Sequence, residues 1–162
     1  MISKILRTID KIFPPQPVYA HCDIPCGIYD PHNAQVAAHT VLRMTQFLED
    51  IKRDSETKAG HDIARVTHVK EEHGELIESE LGTLENDYFK EEHFKAYPNL
   101  KELIGKATGL SVKARQSIDI KLAEDLLETV LQISEIFYKT KGVEPIRIKS
   151  VYPTNKEIVV YK

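Results

Sequence analysis

The chain has 162 residues, of which 41% are hydrophobic and 29% charged, with no Trp. That is the composition of one ordinary globular domain with short appendages. A net charge of −3 and a pI of about 6.2 argue against nucleic acid or an anionic membrane as the main partner.

The longest apolar run, Ile158 to Tyr161, is far short of the roughly 20 residues a membrane-spanning helix requires. With only two cysteines, Cys22 and Cys26, a disulfide scaffold is excluded. Two thiols four positions apart near the start of a chain suggest chemistry rather than stapling.

Residues 1–20 differ from the rest. Ile2, Ile5, Leu6, Ile9, Ile12 and Phe13 recur at helical spacing, and Pro14-Pro15-Gln16-Pro17 breaks the pattern. Val18-Tyr19-Ala20 offers a peptidase small and β-branched residues, but Arg7, Asp10 and Lys11 interrupt the apolar core that an export signal needs. Two readings stay open for this segment, a removable leader and a docked N-terminal helix.

His21-Cys22-Asp23-Ile24-Pro25-Cys26-Gly27-Ile28-Tyr29-Asp30 is a compact non-helical segment by virtue of its Pro and Gly. Asp30-Pro31 opens a helix, with Asp as N-cap. Ala37, Val41, Met44, Leu48 and Ile51 line that helix, which breaks at Arg53-Asp54-Ser55. A long second helix over about 57–86 carries Ile63, Val66, Val69, Leu76, Ile77, Leu81 and Leu84, and Gly74 and Gly82 within it weaken it by about 1 kcal/mol each unless close packing explains them. After an aromatic connection, Asn99 caps a third helix with Leu100, Leu103, Ile104 and Ala107. Ser117 caps a fourth with Ile118, Leu122, Leu126, Val130, Ile133 and Phe137.

The pattern predicts an all-α fold: an antiparallel, up-down four-helix bundle over 32–141, preceded by a metal-binding hook at 21–31. Gly142 stops the last helix, and 142–162 reads as a β-hairpin extension that must pack on the bundle or on another subunit. His32 and His39 are expected to face solvent, and His61, His68 and His93 to be surface or capping groups.

The hook suggests a metal. Thiolates and imidazole suit soft and borderline ions. A cut before His21 would create a terminal amine, which with the Cys22 backbone nitrogen and two thiolates could make a planar N2S2 set, with the His21 ring as axial cap. Such a set favours nickel or copper over zinc, whose closed structural sites want four tetrahedral ligands. On the residues alone, a redox pair or a zinc site stays open beside this.

The segment strongly resembles the start of nickel superoxide dismutases, whose mature chains begin H-C-D-x-P-C-G-x-Y-D-P, as His21–Pro31 reads here. The resemblance continues at Asp87-Tyr88-Phe89-Lys90, His93-Phe94, Tyr97-Pro98, Ile136-Phe137 and Thr140-Lys141, and so covers about 21–141. It implies a homohexamer of four-helix bundles, one nickel ion per subunit cycling between Ni(II) and Ni(III), and superoxide as substrate. It implies also a leader, 1–20, removed by a maturation peptidase between Ala20 and His21.

The resemblance assigns the amine and axial imidazole to His21, an amide nitrogen and thiolate to Cys22, and the second thiolate to Cys26. Asp23 and Pro25 shape the hook, Tyr29 stands over the open face, and Tyr88 hydrogen-bonds near it. Lys90 sits where the family keeps a lysine that attracts the anion. A Glu and an Arg that support the axial histidine in the family fall on Ala37 and His73 here, so His73 is a candidate to orient His21. The 142–162 extension lies outside the resemblance. The competing reading is a non-catalytic nickel- or copper-binding bundle or an uncleaved, inactive precursor. Reduced thiols and the poor export signal favour the cytoplasm.

Overall fold

The structure is a computed structural model that describes residues 26–162; the leader and the hook residues His21 to Pro25 lie outside the described residues. Four long helices form the bundle: α1 (His32–Asp50), α2 (Glu56–Thr83), α4 (Leu100–Arg115) and α5 (Ile120–Thr140). A π-helical turn (Leu84–Tyr88) and the short α3 (Glu91–Ala96) connect α2 to α4. Each long helix packs on two others, in the cycle α1–α2–α4–α5–α1. The up-down bundle read from the heptads is therefore what the chain adopts, because each helix carries one apolar stripe that only a central core can bury.

That core holds Ala34, Ala37, Ala38, Val41 and Leu42 from α1, Ile77 and Leu81 from α2, Leu100, Ile104 and Ala107 from α4, and most of the inner face of α5. Ala34, Ala37 and Ala38 of α1 are wholly buried in this core. Gly74 of α2 makes room for a side chain from α4. A Cβ there would fall 2.4 Å from Arg115 Cδ and 2.5 Å from its Cγ, and Arg115 is held by Glu71, Glu75 and Glu78.

Several local expectations are corrected. Asp30 does not occupy the N-cap: Pro31 does, and the Asp30 carboxylate accepts from the His32 amide at 2.7 Å. Asp119, not Ser117, caps α5, its side chain accepting from Leu122 N, while the Ser117 hydroxyl turns back to Lys113 O. The helix consequently begins two residues later than expected, and Ile118 is left 57% exposed. Ile63 and Leu76 also remain over a third exposed; the N-terminal half of α2 buries little beyond Ala59, and in its C-terminal half Ile77 rather than Leu76 turns into the core. The second helix itself stops as an α-helix at Thr83, its expected last turn being π-helical.

Helix α5 ends as read, on Gly142 at φ +76°. Val143 N returns to Tyr138 O and Gly142 N to Lys139 O, the paired bonds of a glycine-terminated helix that satisfy its last carbonyls. The chain then turns into β1 (Pro145–Lys149), which pairs antiparallel with β2 (Glu157–Tyr161), Arg147 opposite Val159.

The hairpin packs on its own bundle. The buried Gln35 amide pairs with the Val159 backbone like an extra strand: Nε2 donates to Val159 O at 3.1 Å and Val159 N donates to Oε1 at 2.7 Å. Arg147 reaches back from β1 to Glu128 and Glu135 of α5, and its guanidinium holds the Glu128 carboxyl below the usual carboxylate range.

His39, expected to face solvent, is 4% exposed. Its Nε2 donates to Glu157 O at 3.0 Å, so Nδ1, 2.7 Å from Thr154 Oγ1, accepts from that hydroxyl. The hairpin covers it, and no signal in α1 itself marks that. Burial pushes the His39 pKa below 6.5, partly offset by the Glu157 carbonyl. Protonation therefore favours the unfolded chain. The stability due to neutral His39 is complete above pH 6.5 and is lost as pH falls toward the depressed folded value. A His39→Gln variant should show a flatter decline of Tm with acidification than the parent; equal slopes would contradict this. Gly74→Ala should cost about 1–3 kcal/mol by overpacking against the pinned Arg115, measured by urea unfolding.

Candidate active site

The described part of the hook starts at the exposed Cys26. Gly27 follows at φ +70°, a backbone state that costs glycine little. It turns the chain so that Tyr29 comes down, half-buried, on the bundle. There its ring meets Tyr88, centroid to centroid 5.4 Å.

Tyr88 is fixed from several sides. It ends the π-helical turn, in which Phe89 N reaches Leu84 O at 2.8 Å. A π turn holds an extra residue relative to an α turn and is a frequent device at functional sites. The Thr140 hydroxyl donates to Phe137 O at 2.6 Å, so its single proton is committed and the Tyr88 hydroxyl, 2.7 Å away, donates to Thr140 Oγ1. The Tyr88 ring stacks on His93 at 17° and 5.5 Å and lies 4.7 Å from the Phe137 ring. Lys141 Nζ sits 4.5 Å from its centroid, within cation–π range.

Beside the tyrosines a cleft of about 190 Å³ is lined by Ile28, Tyr29, Asp30, Asn33, Glu80 and Leu84, among others. Asn33 of α1 donates across it to Glu80 Oε1 of α2 at 3.2 Å. The Asp30 carboxylate also receives the Tyr138 hydroxyl at 3.4 Å. Burial first, then the Asp30 charge, push the Tyr138 pKa up to about 12, which keeps that phenol a donor.

Tyr29 and Tyr88 are thus brought together, while Lys90 and His73 are bonded to other groups. Lys90 Nζ donates to Asp87 O at 2.7 Å and its backbone N–H donates to His93 Nδ1 at 3.0 Å; the lysine caps α3 and is exposed. His93 is a capping residue, as read. His73 donates from Nδ1 to Val69 O at 2.8 Å, one turn back on its own helix. Ala37 is wholly buried in the core. His21, Cys22, Asp23 and Pro25 lie outside the described residues.

The residues not singled out for a role are Thr140, Lys141 and Tyr138. They lie in the last turn and C-cap of α5, and only contacts from sequence-distant segments give them their place.

Among the described residues no group of three His, Cys, Asp or Glu is placed to hold a metal ion. The segment His21 to Cys26 carries an imidazole and two thiols, donors that suit nickel. Its Cys26 end is exposed and three residues from Tyr29, and the donor chemistry fits the ion.

The sequence profile of nickel-containing superoxide dismutases matches residues 16–141. The chain belongs to the nickel-containing superoxide dismutase family. It is 36% identical over 138 residues to the nickel superoxide dismutase of Streptomyces seoulensis, covering 82% of this chain and 98% of that one. To the enzyme of Streptomyces coelicolor it is 35% identical over the same shares. A crystal structure of a nickel-containing superoxide dismutase, with ligation corresponding to the oxidised state, superposes with a TM-score of 0.68 at 35% identity. It covers 75% of this chain and 99% of its own.

The chain is accordingly an oxidoreductase that disproportionates superoxide, with nickel as its cofactor. No helix of the described residues is long and apolar enough to cross a membrane. The family match ends at 141, so the hairpin is an addition to the dismutase bundle. The Tyr88–Thr140 bond should show as a coupling energy of about 0.5–1.5 kcal/mol in a double-mutant cycle with Tyr88→Phe and Thr140→Val. A coupling near zero would mean that water replaces it at no cost.

Proposed function

We propose that the mature enzyme begins at His21, after a peptidase has removed residues 1–20, and that the new N-terminus is itself part of the metal site. His21 would contribute its amine and imidazole, Cys22 its amide nitrogen and thiolate, and Cys26 the second thiolate. Asp23 and Pro25 would shape the turn. When bound, nickel supplies the one-electron redox chemistry by which two superoxide ions and two protons become oxygen and hydrogen peroxide. Thiolate and amide donors stabilise the higher oxidation state that such cycling needs.

The observation that carries the reading is the ring pair Tyr29–Tyr88 at 5.4 Å. It anchors the exposed Cys26 segment against the bundle and leaves Tyr29 between that segment and the protein. In this arrangement Tyr29 limits access to small molecules, and Tyr88 keeps it in place with a hydroxyl already committed to Thr140. His73, its Nδ1 proton given to Val69 O, has Nε2 left as an acceptor, the polarity a hook histidine N–H would meet. Lys90 would add positive charge near the entrance of a chain whose net charge is negative.

Two comparisons support the start at His21. The solved relatives, matched over 99% of their length, cover 75% of this chain, whereas the curated sequences, matched over 98% of theirs, cover 82%. The smaller share agrees with a trimmed leader. Among them are variants with the first residue changed from histidine to alanine, the third from aspartate to alanine and the ninth from tyrosine to phenylalanine. His21, Asp23 and Tyr29 have that spacing. A homohexamer in the cytoplasm completes the proposal. The interrupted apolar core of the leader and the need for reduced thiols favour that compartment.

An intact mass of the protein from nickel-supplied cells of its own host should correspond to residues 21–162 plus one nickel ion. Full dismutase activity in a chain that retains the leader would overturn the amine-ligand assignment. Cys22→Ser or Cys26→Ser should abolish activity, and so should one extra residue before His21, since each removes a donor that sets the metal's redox range.

A further inference from the structure

The C-terminal hairpin lies beyond the family match, yet its contacts run to the first residues after the hook. Tyr161, in the last position of β2, packs its ring 5.2 Å from that of Tyr138. The Tyr138 hydroxyl donates to Asp30 Oδ1, and the same oxygen accepts the His32 amide at the start of α1. One turn further along α1, Gln35 is bonded twice to the Val159 backbone, and a turn beyond that His39 is bonded to Thr154 and Glu157. Arg147 fastens the other strand to α5 through Glu128 and Glu135. The hairpin therefore clasps the N-terminal half of α1 to α5.

The residues 26–30 that it backs make no regular structure of their own. Gly27 sits at positive φ, Ile28 is 76% exposed, and Asp30 is the link between this segment and the helix. A site on so short an irregular segment is only as well positioned as its anchor, and a displacement of about 1 Å at a reacting centre costs rate steeply.

We propose that the C-terminal hairpin is a positioning brace for the nickel hook, with Tyr161, Tyr138 and Gln35 as positioning residues that act on it through Asp30 and the first turn of α1. The inference rests on the reading of residues 21–26 as the metal site. Its alternative is a hairpin that stabilises the bundle and nothing more.

The test uses the mature, nickel-loaded protein, with nickel content measured and the EPR signal of the oxidised metal recorded beside kcat. Truncation after Gly142 should lower kcat about tenfold at full nickel occupancy and shift or broaden the EPR signal. Tyr138→Phe and Tyr161→Ala should change both in the same direction, by less. Gly74→Ala, which strains the bundle against Arg115, supplies the comparison: it should lower Tm and leave the EPR signal as in the parent.

Unchanged kcat and EPR in the truncated protein, whatever its Tm, would overturn the brace. If the truncated chain fails to fold, the two tyrosine variants decide, and parental EPR and kcat in both would overturn it equally. Failure of the underlying reading looks different, because nickel and its EPR signal would then persist in Cys26→Ser.

Discussion

The hydrogen bond from Tyr88 to Thr140 joins the turn that follows α2 to the last turn of α5. Much of the site's base depends on that junction. The Thr140 proton is spent on its own helix, so the oxygen offers Tyr88 only acceptance, and the phenol is held with one polarity. Phe137 and Lys141, on the same turn, press on the Tyr88 ring. Tyr29 then finds a fixed surface rather than a mobile one. An irregular segment of a few residues acquires a defined seat because two helix ends have been locked together beneath it.

Much of the bundle was legible from periodicity, since α1, α2, α4 and α5 each carry an apolar stripe and Gly142 ends the last helix where left-handed backbone is required. Errors arose where two local solutions compete. Ser117 and Asp119 are both acceptable caps, and the carboxylate at 119 won the Leu122 amide while the hydroxyl at 117 turned to Lys113. The π turn was invisible because one extra residue per turn leaves no mark in composition. His39 looked solvent-facing because its partners, Thr154 and Glu157, lie more than a hundred residues away.

The site divides in the same way. Two thiols and an imidazole within six residues mark His21, Cys22 and Cys26 as candidate metal donors by type and spacing, but only the resemblance to a family narrows the choice to nickel. Tyr29 and Tyr88 were legible only through resemblance to a family, and the structure supplies the reason they belong together. The cations around Tyr88 show what a motif does not carry: Lys90 is exposed with its ammonium on the Asp87 carbonyl, while Lys141, which no motif assigned a role, lies over the Tyr88 ring.

The last turn of α5 serves two clients at once. Thr140 and Lys141 look toward Tyr88, while Tyr138 looks toward Asp30 and the hairpin. Side chains on a helix step around the axis by about 100° per residue, so a single inserted or deleted residue upstream in α5 would swing both sets away together. The two arms of the support can be tuned separately by substitution, but not by changing the length of the helix.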